Sequence, residues 1–438
     1  MGRQRRRGEP NVNVTPNLAR RLTTGDAIVI GLGSMIGAGV FAAFGPAAEA
    51  AGSGLLIGLA IAASIAFANA TASAQLAAAY PASGGTYLYG RERLGEWWGF
   101  AAGWAFVIGK TASCAAMAMT VAAYAVSGPG WLQRLIAVTA VVTLAALNLR
   151  GVTRTAQLTR ILVTITLTGL AVVVIGILVF GEPDSGNLDR WYRAGDSGVY
   201  GVLQASGLLF FAFAGYARIA TMGEEVVDPE RAIPRAISLA LLITIAVYAV
   251  IGGSVLLAAG PDRLAESAAP LVTAIESAGV GEIAPVVRVG GMVASMGALL
   301  ALIAGIGRTG LAMARNRDLP TWLAAVHPIS RVPHHAEIAL AVAVCGLVLV
   351  ADLRGAIGFS SFGVLIYYAI ANASAYTQTG IQRRTPRALN VFGLIGCLVL
   401  VATLPWESIA AGLAMFAIGL TGRLVVIRRR RSVRDGAS

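Results

Sequence analysis

Charge is scarce in this chain: only 13% of its 438 residues are Asp, Glu, Lys or Arg, about half the ~25% of a water-soluble domain. A soluble enzyme is therefore excluded. Lysine is nearly absent, since every one of the 34 basic residues except Lys110 is an arginine. The three cysteines, Cys114, Cys345 and Cys397, each sit inside an apolar run without metal-like spacing, which excludes a disulfide framework and a zinc site. The three histidines, His327, His334 and His335, read as solvated loop residues, and no metal or other cofactor is expected. No GxxxxGK[ST] loop occurs, and no connection is long enough for a nucleotide-binding domain, so work driven by ATP is not expected. Arg20-Arg21-Leu22 imitates a twin-arginine export signal. The apolar segment after it is longer than a signal-peptide core, and many more follow.

What the chain has in abundance is apolar sequence, with 56% hydrophobic residues and 53 glycines and a mean hydropathy of +0.72. Apolar runs recur at the ~20-residue length that crosses a hydrocarbon core of ~30 Å. Twelve helices are predicted, over 26–50, 54–79, 97–126, 131–149, 157–180, 201–223, 236–259, 284–314, 336–350, 355–377, 389–404 and 408–427. A shorter stretch, 268–280, is expected to lie on the outer surface. The fold class is an all-α, multi-pass membrane protein. If the N-terminus is cytoplasmic, twenty-four arginines fall on inner segments and six on outer ones, which places both termini, the basic tail 1–25 and the basic tail 428–438 inside a cell membrane. The net charge of +12 is then topology, with the Arg428–Arg431 run held at the anionic inner leaflet. No nucleic-acid partner is expected.

The first helix reads Ile30-Gly31-Leu32-Gly33-Ser34-Met35-Ile36-Gly37-Ala38-Gly39-Val40-Phe41, and each glycine costs a helix ~1 kcal/mol relative to alanine. The sixth carries small residues mid-span in Gly207-Leu208-Leu209-Phe210-Phe211-Ala212-Phe213-Ala214-Gly215-Tyr216-Ala217-Arg218. Interrupted spans at corresponding places in two halves point to a midplane solute site. Freed N–H groups from Ile36 to Gly39 would hold a carboxylate. Freed carbonyls near Met35 and from Phe211 to Ala214 would hold an ammonium group. Together they match an α-amino acid. The alternative is that Gly33 to Gly37 is a GxxxG packing face.

The stretches GSMIGAGVF and FFAFAGYARIATMGEEVVDPERAIPRAI, with Ala312-Met313-Ala314-Arg315-Asn316-Arg317-Asp318-Leu319-Pro320 on the inner side, resemble the amino acid–polyamine–organocation superfamily, closest to bacterial relatives of cationic amino acid transporters. The resemblance runs from about Thr23 to Ile427. It implies a leucine-transporter-like fold, with five-helix repeats over 26–180 and 201–377 inverted on each other and two additional helices over 389–427. It places Ile36, Gly37, Ala38 and Gly39 against the substrate carboxylate, and Phe211, Ala214 and Gly215 on the sixth-helix wall, with Phe211 at the aromatic gate. Some arginine exchangers carry a glutamate where this sequence has Ala217. Some proton-coupled members carry a fifth-helix lysine where this sequence has Thr164.

The remaining candidates are charged or hydroxylic. Lys110 lies ~20 Å of helical rise beyond Trp97, and an ammonium at that depth points to function. It is expected to couple proton movement to transport or to donate to substrate or backbone carbonyls. Thr164 with Ser295 could hold sodium as a less favoured coupling ion. Arg218 is a candidate inner gate pairing with Glu224 and Glu225, or an interfacial charge, and Arg308 has the same two readings. Asp228-Pro229 is expected to begin a short segment before the seventh helix, with Asp228 as its cap. The functional expectation is a secondary amino acid permease. A polyamine or organic-amine transporter, and a non-transporting amino acid sensor on the same scaffold, are the alternatives.

Overall fold

A computed structural model describes residues 22–81, 84–151, 156–188, 198–223 and 225–435. Glu224, Arg154, Arg190, Arg193 and the arginines of 1–21 lie outside the described residues. Among those described, ten helical stretches are long and apolar enough to cross a membrane, and two shorter apolar helices, His334–Val350 and Arg387–Thr403, occupy the places of the ninth and eleventh predicted spans. The first span runs through Thr24–Met35, Ala38–Ala42 and Phe44–Ala51, and the second is Leu55–Ala79. The third to eighth are Glu96–Ala125, Gly130–Leu149, Gln157–Phe180, Gly198–Ala220, Pro229–Ala265 and Gly281–Arg315; the tenth is Leu353–Tyr376 and the twelfth Trp406–Arg428.

Burial sorts these spans. In the third and tenth, 83% of the most apolar window is buried, against 11% in the twelfth; the first two form the centre and the last faces outward. The third and tenth can approach closely because small residues line their contact. A Cβ on Gly363 would stand 2.6 Å from the carbonyl oxygen of Ala105, and Ser113 and Ser360 share a hydrogen bond of 2.6 Å.

The first span begins with a capping box: Thr23 Oγ1 accepts from the Asp26 amide at 3.2 Å, and Asp26 accepts from the Thr23 amide at 3.0 Å. Arg160 donates to the same carboxylate at 2.5 Å, joining the fifth span to the start of the first. Leu22 pairs with the loop after the sixth span, its amide donating to Glu225 O at 3.0 Å while the Val227 amide donates to Leu22 O at 2.9 Å.

Three expectations need correction. Asp228 makes no side-chain cap; it sits at φ 49° in the left-handed region, and its carbonyl receives the Ala232 amide at 2.9 Å. The seventh helix starts earlier than predicted because the segment opened by Pro229, in its first turn, is continuous with it, while at the far end Gly260 leaves helical geometry at φ 71°. A short helix, Thr86–Leu94, was not expected between the second and third spans. The surface stretch is helical over Pro270–Ser277 and buries Leu271, Val272 and Ile275.

The Asn316 to Asp318 turn is tied to that unexpected helix. Asn316 donates to Tyr87 Oη at 2.9 Å, and Tyr87 donates to Asp318 at 2.8 Å. Burial, with the Asp318 carboxylate second, pushes the Tyr87 phenol up to about 12, so it remains a donor at neutral pH.

Candidate substrate site at the break in the first span

The first span is interrupted where the sequence concentrates glycine. Ile36 leaves helical geometry at φ −82°, ψ 62°, and Gly37 follows at φ −118°, ψ −138° with no side chain capping the helix that restarts at Ala38. Ala43 keeps helical angles of −73° and −20°, so the restarted helix runs on to Ala51 and presents the N–H groups of its first turn, from Ala38 onward, at the break; the Ile36 and Gly37 amides, expected to be free, are taken by Leu32 O at 2.7 Å and Met35 O at 2.9 Å. The sixth span is not opened by glycine, which corrects the sequence reading. It tightens to a 3-10 turn over Ala214–Tyr216 between Gly198–Phe213 and Ala217–Ala220, while Gly207 packs on Leu404.

The two spans meet on glycine. A Cβ on Gly215 would lie 2.2 Å from the Ser34 carbonyl oxygen and one on Gly39 would lie 2.5 Å from Ala212 Cα, while one on Gly37 would lie 2.8 Å from Ala298 Cβ of the eighth span. Packing and interruption are thus both present at this centre. Met35, Ile36, Ala38, Gly39, Phe211 and Ala214 are all buried there, and Gly215 is partly so.

Three side chains donate to the carbonyls at the two irregular segments, of which Met35 O also accepts the Gly37 amide at 2.9 Å. Tyr248, on the seventh span, donates to Met35 O at 2.6 Å and lies 3.0 Å from Ala212 O, so one hydroxyl spans both helices. Lys110 Nζ donates to Ala214 O at 3.1 Å, and Tyr368 of the tenth span reaches the same oxygen at 3.3 Å. Tyr248 and Tyr368 were missed in the sequence because they are remote from both interruptions. A positive group arriving at these carbonyls has donors to displace. Toward the other end of the site, Tyr124 donates to Phe41 O at 2.8 Å with the two rings edge to face at 5.4 Å.

The comparisons with known proteins now bear on this arrangement. The description "Amino acid permease" belongs to the family whose model matches residues 26–425. The chain belongs to the amino acid permease family. An uncharacterized transporter of Mycobacterium tuberculosis is 55% identical over 427 residues, covering 97% of this chain and 96% of its own. The branched-chain amino acid permease BcaP of Bacillus subtilis is 26% identical, with 92% of each chain covered. A chloroplastic cationic amino acid transporter of Arabidopsis thaliana is 30% identical over 90% of this chain and 72% of its own. The protein is an all-α, multi-pass membrane transporter of the permease type, not an enzyme.

Three candidates, Thr164, Ser295 and Arg218, fall differently in this permease from where the sequence put them. Thr164 is exposed on the outer face of the fifth span, and the neighbouring Val163 faces inward against Gly33. Val163 and Thr166 line a narrow cavity, with room for one water-sized group (≈ 10 Å³), against Gly33, Ile36, Ala294 and Ala298. Ser295 is fully buried whereas Thr164 is exposed, so the two do not face one site. Arg218 is half-buried and donates to Thr221 Oγ1 at 3.3 Å; its expected partner Glu225 pairs with Arg308 instead, at 3.6 Å.

Tyr248→Phe tests the bridging hydroxyl. Losing a donor to two buried carbonyls costs about 1–3 kcal/mol, so amino acid uptake should fall by about 5- to 100-fold with membrane expression retained. Uptake at the wild-type rate would mean that the bridge has no part in holding the site.

Proposed function

We propose that this permease is a secondary transporter of neutral amino acids. The observation that carries this reading is the break at Ile36–Gly37, where the uncapped start of one half-helix lies across from the Met35, Ala212 and Ala214 carbonyls. One centre offers N–H groups for a carboxylate and C=O groups for an ammonium, which is the chemistry common to all α-amino acids. The inverted repeats over 26–180 and 201–377 move around this centre in alternating access, with both termini cytoplasmic.

The substrate's side chain is read from charge. Lys110 stands at the sixth-span carbonyls, and no described residue places a carboxylate beside them. A cationic side chain buried here without an anionic partner is strongly disfavoured. The remaining wall of Ile36, Ala38, Phe211 and Ala214 suits an apolar or small side chain.

The test is uptake and counterflow of labelled leucine, alanine, arginine and putrescine in liposomes containing the purified protein. Leucine or alanine is expected to exchange at least ~10-fold faster than arginine, the factor given by 1.4 kcal/mol, and putrescine not at all. Preferential flux of putrescine would instead assign an amine transporter. Binding without counterflow of any amino acid would favour a sensor and sink the permease reading.

A further inference from the structure

At the end of the molecule where the arginines cluster, the ninth span begins beside the eighth. Glu337, in the first turn of His334–Val350, is 2% exposed. Its Oε2 has no hydrogen-bond partner among the described residues. The carboxyl group lies directly on the eighth-span backbone: a Cβ on Gly307 would be 2.9 Å from Glu337 Cγ and 3.4 Å from Oε1. A side chain at position 307 would expel it, so the glycine makes room for an acid.

The charged and titratable groups around this place can be named element by element. The eighth span offers Arg308, adjacent in sequence to Gly307, and Arg315 at its end. Arg308 is 53% exposed and pairs with Glu225, on the loop after the sixth span, at 3.6 Å. The third span offers Lys110, turned to Ala214, and Glu96, which pairs with Arg91 at 2.9 Å. The fourth ends at Arg150, which is exposed. The ninth itself brings His334 and His335, whose rings are 4.2 Å apart, and the 3-10 turn Thr321–Ala324 brings none.

We propose that Glu337 is a proton-binding site of the permease, exchanging its proton for Arg308. A buried carboxylate without cation or donor is far costlier than the neutral acid, and Arg308, one residue from Gly307, is engaged elsewhere. The Arg308–Glu225 pair is long and half-exposed, hence weak. It joins the eighth span to the same loop that holds Leu22. When that loop moves away, Arg308 loses Glu225; the O–H bond of the Glu337 acid breaks, its proton passes to water, and the carboxylate accepts Arg308. The proton requirement is thereby linked to opening at this end. This inference rests on the transporter reading for its consequence, but proton binding itself can be observed without transport.

The experiment is infrared difference spectroscopy of the purified full chain in lipid, titrated in pH, with uptake measured in parallel. The wild type is expected to show the carbonyl stretch of a protonated carboxyl that disappears as pH rises. Glu337→Gln should lack that band, and its uptake should lose the stimulation given by an imposed pH gradient. Arg308→Gln should keep the band to higher pH, since removal of the cation favours the neutral acid; this arm decides the matter if Glu337→Gln fails to fold. A band unchanged in Glu337→Gln, or unmoved in Arg308→Gln, would overturn the proposal. Absence of counterflow in the wild type with these bands present would instead remove the permease reading and leave the proton site standing.

Discussion

Lys110→Met is expected to lower amino acid uptake by about 5- to 100-fold, because it removes a donor from Ala214 O, at the start of the 3-10 turn of the sixth span. Methionine preserves much of the side-chain volume in a buried site, so the loss falls on the hydrogen bond and charge, worth about 1–3 kcal/mol. Tyr368 remains within 3.3 Å of the same oxygen and should prevent unravelling of the turn. The measurement is initial uptake into liposomes with and without an imposed pH gradient. If Lys110 is a fixed donor, both rates fall by the same factor and the gradient still stimulates. Loss of the gradient response alone would assign the coupling proton to Lys110 and count against Glu337.

How far the sequence could be read depended on the range of the interaction. The break in the first span was legible because Gly33, Gly37 and Gly39 weaken a helix locally, and Ile36–Gly37 is where the backbone departs from it. The spans were legible because hydrocarbon imposes length and apolarity on each separately. The sixth-span irregularity was legible in place but not in kind: Gly207 sits in regular helix and the change begins at Ala214.

Side-chain direction was less accessible. Adjacent helical residues point ~100° apart, so choosing Thr164 over Val163 exchanged an outward position for the one that meets Gly33. Nothing local marks Tyr248 as the partner of Met35, 213 residues away, or Asn69 as the acceptor for Asn372, 303 residues away. Partner choice among charges was equally hidden, since Glu225 lies near Arg218 in sequence yet pairs with Arg308. The resemblance around Met313 to Pro320 acquires a physical reason only in three dimensions, through Asp318.

Asp318→Ala is expected to give the largest loss of stability among surface-remote substitutions in this permease. Asp318 pairs with Arg423 of the twelfth span at 2.7 Å, both side chains being less than 8% exposed (7% and 6%). It also accepts from Tyr87 at 2.8 Å and lies 3.7 Å from Arg91. Removing it leaves a buried guanidinium with a carboxylate of Glu96 at 3.8 Å and the faces of Trp97 and Phe100 at 4.9 and 4.7 Å. The rings do not replace an anion, and Glu96, itself 67% exposed, replaces it only in part, so the loss should approach the ~3–5 kcal/mol of breaking a buried pair from one side. Arg423→Leu alone should cost less, because Arg91 still attends Asp318. Combining Asp318→Asn with Arg423→Leu removes both charges while retaining an acceptor for Tyr87, and should recover most of the stability. Thermal unfolding of the detergent-solubilised variants, followed by the loss of monodisperse protein, gives the order. A double variant no more stable than Asp318→Ala would show that the ion pair itself, and not the avoidance of one buried charge, fastens the twelfth span to the bundle.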